Sequence, residues 1–245
     1  MAIKGLATPA LLDSFEVERM PVIADMLKIT TDLFHHIFNT DTQRKIELAK
    51  EAEAGAEDAL SEARERGWLR GGKLFQLDLN YRWSTVVLDE RFENAESAKD
   101  AYGVPGHDVR AGDRAPDAPA LLAAPPKGDG ALTRLFDIFK PSTHTVLLFA
   151  SGNLEVKPFL AVLAALPSDL FNVLAIVPAG IQVQGSLDGI DAILEDTEGF
   201  ARDGYGLKDG SVPTAVLVRP DGMIGAFAVS GGGLEKYLSA VFVHV

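Results

Sequence analysis

The chain has 245 residues, 47% of them hydrophobic and 24% charged, the make-up of a globular protein long enough to bury a sizeable core. Its net charge of −12 argues against nucleic acid and against an anionic membrane surface, since both select cationic patches. It has no cysteine, which excludes disulfides, thiolate metal sites and thiol redox chemistry for these residues.

Thr8-Pro9 reads as a helix start, a capping hydroxyl followed by a proline whose missing N–H costs nothing in the first turn. Leu11, Leu12, Phe15, Val22, Ile23, Met26, Leu27, Leu33, Phe34, Ile37 and Phe38 then recur at helical spacing. Pro21 removes a helical hydrogen bond and crowds the turn before it, so two helices are predicted, near 9–20 and 21–39, joined almost end to end. A further helix is predicted over 42–66, with Gly67 as its stop. Its apolar stripe is thin, so it is expected to lean on the first helix or on a partner.

Residues 74–81 alternate as an extended segment, followed by an apolar stretch at 84–88. A proline- and glycine-rich connector is predicted over 103–131. Beyond it the expected order is strand 143–150, helix 156–166, strand 172–177, short helices at 190–196 and 198–205, and a hairpin of 214–219 with 224–229. That hairpin turns on Pro220-Asp221-Gly222, and a helix at 234–241 closes the chain. No run approaches the roughly 20 apolar residues of a membrane span. The first residues lack the apolar stretch and cleavage site of a secretory signal, so a cytoplasmic protein is expected.

This order is similar to the thioredoxin-like fold. Ser211-Val-Pro-Thr-Ala-Val-Leu-Val-Arg-Pro-Asp-Gly222 resembles its cis-proline strand and hairpin turn, which makes Pro213 a candidate structural cis-proline rather than a trans proline at a strand start. In thioredoxins and peroxiredoxins a thiolate follows the first strand. Here Ser151-Gly-Asn-Leu stands there, and a hydroxyl has no redox chemistry, so peroxidase and disulfide-reductase activities are excluded.

Three blocks, in order, carry a wider resemblance: Leu12-Asp-Ser-Phe-Glu-Val-Glu-Arg-Met-Pro21; Leu79-Asn-Tyr-Arg-Trp-Ser84 with Gly112-Asp-Arg-Ala-Pro116; and Thr133-Arg-Leu-Phe-Asp137 through Leu217-Val-Arg-Pro-Asp-Gly222. They resemble the C-terminal region of FAD-dependent aromatic hydroxylases of the phenol 2-monooxygenase and pentachlorophenol monooxygenase type. The resemblance implies an α/β protein: a helical arm over 1–67, an extended linker over 68–106 and a thioredoxin-like domain over 107–245. It also implies FAD as the family cofactor. No G-x-G-x-x-G follows a strand in this chain, however, and Gly231-Gly-Gly233 reads as a turn and helix start, so no cofactor is expected to bind.

Glu18-Arg19 is expected to fix the helix to the domain by ion pairs or hydrogen bonds. Tyr81, Arg82 and Trp83 are the most chemically loaded cluster; they read as aromatic packing with an exposed arginine, or as a contact for a ligand or partner. Tyr81, Arg82, His36 and His144 are the candidate contact residues. Asp32 and His36 stand i, i+4, and a third metal ligand would have to come from His107, Asp108 or His144. That spacing is not a metal motif, so polar or half-buried histidines are the default and no metal site is assigned.

The leading expectation is a non-catalytic protein that forms a homodimer or binds a protein partner through the helical arm. Two alternatives stay open: a cofactor-free small-molecule site between arm and domain, and a fragment or subunit of an FAD-dependent hydroxylase.

Overall fold

In the computed structural model, residues 5–52, 79–92, 101–102, 108–125, 128–150, 156–181, 188–207 and 212–243 are described. The strongest apolar run forms β4 (His144–Phe149), every residue of which is buried. It lies beside β5 (Phe171–Pro178) on one side and β7 (Thr214–Val218) on the other. The other strands are β1 (Leu88–Asp89), β2 (Leu121–Ala123), β3 (Leu132–Thr133), β6 (Ala192–Asp196) and β8 (Ile224–Ala228), giving the order β1-β8-β7-β4-β5-β6-β2-β3.

Side chains alternate across this sheet, so each strand feeds two cores. Val146 and Leu148 face α3 (Lys157–Leu163) and α5 (Gly231–Val241), together with Phe159, Leu234 and Leu238. Leu147 and Phe149 face the opposite layer, with Leu135 from α2 (Leu135–Ile138), Ala201 from α4 (Phe200–Gly204) and Tyr205 directly after it. Parallel β4 and β5 joined through α3, then antiparallel β7 and β8 followed by α5, form a thioredoxin-like core. The protein is α/β, with that core preceded by a long helix.

Several expectations change. Residues 190–196 form a strand, not a helix: Ala192–Asp196 pairs in parallel with β5, because a short apolar run takes its state from the edge it meets. Within the predicted connector, Leu121–Ala123 pairs with β6 and β3. Leu88–Asp89, in the predicted linker, adds a parallel edge strand to β8. One prediction holds: the hairpin turns at Gly222 (φ 79°). Gly112 adopts φ 94° with its backbone against Tyr81 and Arg82, where a Cβ would have no room.

The largest change is α1 (Pro9–Ala52), a single helix of 44 residues that runs through Pro21 and through the predicted gap at 40–41. Thr8 Oγ1 accepts from Leu11 N at 3.2 Å and caps its start as expected. The part of the predicted 42–66 helix up to Ala52 continues α1, and the remainder lies outside the described residues.

Pro21 has no N–H to give to the carbonyl of Val17, four residues earlier. The indole Nε1 of Trp83 donates to that carbonyl instead, at 3.0 Å. A replacement donor lets the helix continue where the sequence predicts a break. Trp83→Phe should therefore cost about 1 kcal/mol, the net contribution of a hydrogen bond to this half-buried acceptor. In a Pro21→Ala background the restored amide satisfies Val17, so the same substitution should cost clearly less; urea unfolding of the four proteins measures the difference.

Candidate functional site

The residues richest in chemistry meet where α1 crosses the β7–β8 hairpin. Glu18 is 3% exposed, and both its oxygens accept from Arg219, Oε1 from Nη1 at 2.7 Å and Oε2 from Nη2 at 2.9 Å. Ser84 Oγ donates to Glu18 Oε1 at 2.6 Å, and Arg219 Nη2 also reaches Asp221 at 2.8 Å. Arg219 is thus held between a carboxylate of the helix and one of the hairpin turn. Burial alone would lower the guanidinium pKa, but the Glu18 hydrogen bonds and the Asp221 charge outweigh it and raise the pKa above the ordinary range.

Tyr81 lies beneath this pair, almost fully buried, with Arg19 5.6 Å and Arg219 6.0 Å from its ring centroid. Burial raises its pKa, against the opposing charge of Arg19. Arg82 forms a bidentate pair with Asp113 at 2.6 and 2.8 Å, so the expected exposed arginine instead ties the Tyr81 segment to the loop before β2. Glu18 and Asp221 thus engage Arg219, and Asp113 engages Arg82. The arrangement is a clamp between helix and sheet, as the Glu18 block leads one to expect.

His144, the first residue of β4, is 3% exposed and packs edge-on to Phe242 at 5.4 Å. Its Nδ1 has no hydrogen-bond partner. Burial lowers its pKa from 6.5 to about 4; the Arg219 charge adds to that effect and Asp221 opposes it. His36 lies in α1, but its side chain is outside the described residues, as is all of His107; Asp32 and Asp108 are exposed. Pro213 stands directly before β7.

Sequence reasoning did not anticipate Asp113, Ser84 or Glu90. Glu90 Oε2 accepts from Val229 N at 2.8 Å and Ser230 N at 3.1 Å, while Ser230 Oγ caps α5 by accepting from Gly233 N. This carboxylate fills the space beside Gly233, so Gly231-Gly-Gly233 is a capped helix start and does not fit a flavin pyrophosphate. A recess of 510 Å³, polar and apolar in similar measure, lies beside α3, lined by Leu160, Leu163, Phe171 and Ile190 together with Ser168 and Asp191. It is away from the clamp and from the arm.

No protein-family profile matches the chain. A flavin-dependent monooxygenase of Mycobacteroides abscessus is 28% identical to it over 235 residues, which is 96% of this chain and 32% of that protein. The chain is related to flavin-dependent monooxygenases. It spans about a third of the length of that relative. The crystal structure of the flavin-dependent monooxygenase PieE, in complex with FAD and substrate, shares the fold over 98% of this chain and 40% of its own, with a TM-score of 0.61 and 20% identity. The thioredoxin domain of a thiol-disulfide oxidoreductase from Bacteroides vulgatus is 14% identical over 54% of this chain and 97% of that domain, with a TM-score of 0.37.

Arg219→Met would leave the Glu18 carboxylate buried without its cation and should cost about 3–5 kcal/mol. The double variant Glu18→Leu/Arg219→Met should lose less than the two singles added together, as read by chemical denaturation. His144 gives a second expectation. Between pH 6.5 and about 4 the unfolded chain takes up a proton that the folded chain refuses, so stability is full above pH 6.5 and falls as pH drops. The shift corresponds to about 3 kcal/mol. His144→Phe should remove that part of the slope, measured as the difference in unfolding free energy between the two proteins across this window.

Proposed function

We propose that the chain is a non-catalytic, thiol-free thioredoxin-like module, corresponding to the C-terminal region of phenol hydroxylase-like FAD monooxygenases and acting by protein association in the cytoplasm. The observation that carries this reading is the state of α1. One face is clamped to the sheet through Glu18, while Leu12, Phe15, Ile23 and Leu27 on another are more than half exposed. A contiguous apolar face of this length marks a surface that another protein covers. The absence of cysteine from the sequence, and the mutual neutralisation of Glu18, Arg219, Arg82 and Asp113, support a scaffolding role over chemistry.

The test is enzymatic. The purified protein should retain no flavin and should show no NAD(P)H-dependent oxygen uptake with phenolic substrates. A stoichiometric flavin spectrum, or phenol-stimulated oxygen uptake, would overturn the reading.

A second reading, small-molecule binding, is favoured by the recess beside α3, whose volume of 510 Å³ suits a small ligand. Native mass spectrometry of freshly purified protein tests it, because a co-purifying small molecule is its direct signature.

A further inference from the structure

The recess beside α3 has two kinds of lining, and they stand at different depths. Leu163, Leu166, Phe171, Val173 and Ile190 are buried, whereas Ser168, Gly189 and Asp191 are exposed. Its floor is therefore apolar and its rim polar. A volume of 510 Å³ lies within the range of small-molecule sites and far above that of a packing void.

The rim has one sign of charge. Asp191 Oδ2 accepts from Val173 N at 2.7 Å, and Asp191 N donates to Val173 O at 2.8 Å, so the carboxylate is held in place directly before β6. That leaves Oδ1, and among the described residues no lysine or arginine pairs with it. Between Lys157 and Arg202 the sequence has no lysine, arginine or histidine at all, while it carries Asp169, Asp188, Asp191, Glu195, Asp196 and Glu198. Asp169 and Asp188 are exposed and adjoin the rim residues Ser168 and Gly189. A cavity edged by carboxylates without a local cation attracts positive charge.

We propose that the recess binds a small amphiphilic amine, its hydrocarbon part on the apolar floor and its ammonium at Asp191. The inference rests on the reading that the recess takes a small molecule, and it names the class of that molecule. Both halves of such a ligand gain. Each methylene that leaves water for Leu163, Phe171 and Ile190 is worth about fourfold in affinity. The ammonium gains a charge-assisted hydrogen bond. A carboxylate-bearing ligand of the same shape would instead meet like charge at Asp191. A bare metal ion is not the occupant, because no group of three or more His, Asp or Glu among the described residues could hold one.

Hexylamine, 1-hexanol and hexanoate share one chain length and differ in head group, so they separate the two contributions. Each is titrated at pH 7 and low salt into the ¹⁵N-labelled full chain and followed by its amide resonances. Hexylamine should shift the amides of Val173, Gly189, Ile190 and Asp191. It should bind about fivefold more tightly than hexanol, the upper end for an exposed ion pair, and hexanoate should bind least. Butylamine should bind about fifteenfold more weakly than hexylamine, at fourfold per methylene.

Asp191→Asn keeps an oxygen for the Val173 amide and removes the charge. It should bring hexylamine down to the level of hexanol and leave hexanol unchanged. Leu160→Trp should fill the recess and abolish the binding of both, with far-UV circular dichroism reporting its fold. Should that variant not fold, the wild-type amide shifts locate the site by themselves.

Hexanol or hexanoate binding as tightly as hexylamine overturns the inference and leaves the recess a small-molecule site of another class. Hexylamine binding that ignores Asp191→Asn does the same. If none of the three compounds shifts the recess amides, the inference also falls, and the native mass spectrum decides separately whether some other molecule occupies the recess.

Discussion

A buried carboxylate, Glu18, is the group on which the joining of helix and sheet depends. Once α1 lies on the domain, Glu18 is shut away from water and must be neutralised where it stands. Arg219 does this from the end of β7, and Ser84 donates the further hydrogen bond. The three groups come from parts of the chain up to 201 residues apart. The pair therefore works as a registration device: a slide of α1 by one turn would strand both charges. Trp83 adds a second pin next to it, on the Val17 carbonyl that Pro21 leaves open. The N-terminal residues add a third, through Thr8 N to Val241 O at 3.1 Å and Val243 N to Leu6 O at 3.0 Å, which tie the start of the helix to the end of α5.

The thioredoxin-like core is built as a support for this junction. Strands β4, β5, β7 and β8 are buried on both faces, and that arrangement makes a rigid platform. The hairpin delivers Arg219 and Asp221 at its turn, and β1 brings Glu90 to the start of α5. Where a thiol chemistry would need an electropositive helix start and a cysteine, this chain has a serine, and its polar side chains are spent on packing contacts. A clamped helix with a second apolar face is the consequence. The contacts that hold α1 come from one side, and Leu12, Phe15, Ile23 and Leu27 on the other are exposed.

Much of this was legible in the sequence because it is local. The alternating apolar strands, the Pro-Asp-Gly turn and the closing helix follow from side-chain period and turn chemistry. Glu18 was singled out with Arg19 by the resemblance of its block to the hydroxylases, and not by any local pattern. Its partners were not legible, since nothing local links residue 18 to residues 84 and 219. Residues 190–196 were misread for the same reason: a short apolar run is indifferent between helix and strand until a neighbouring edge is present. Arg82 looked like a surface charge because Asp113 lies 31 positions away.

By itself the sequence determined that the chain carries no thiol, that it has a hydrophobic sheet core of thioredoxin-like order, and that an amphipathic helix comes first. Those properties reside in composition and in periods of two and 3.6 residues, which need no distant contact. Only the tertiary structure decided that α1 passes through Pro21 unbroken, that Tyr81 and Arg82 are internal to a clamp, and which of the helix's two apolar faces stays open. Each of these depends on a hydrogen-bond or ion-pair partner supplied from far along the chain. The free energy of a buried polar group is set by that partner and not by its neighbours in sequence.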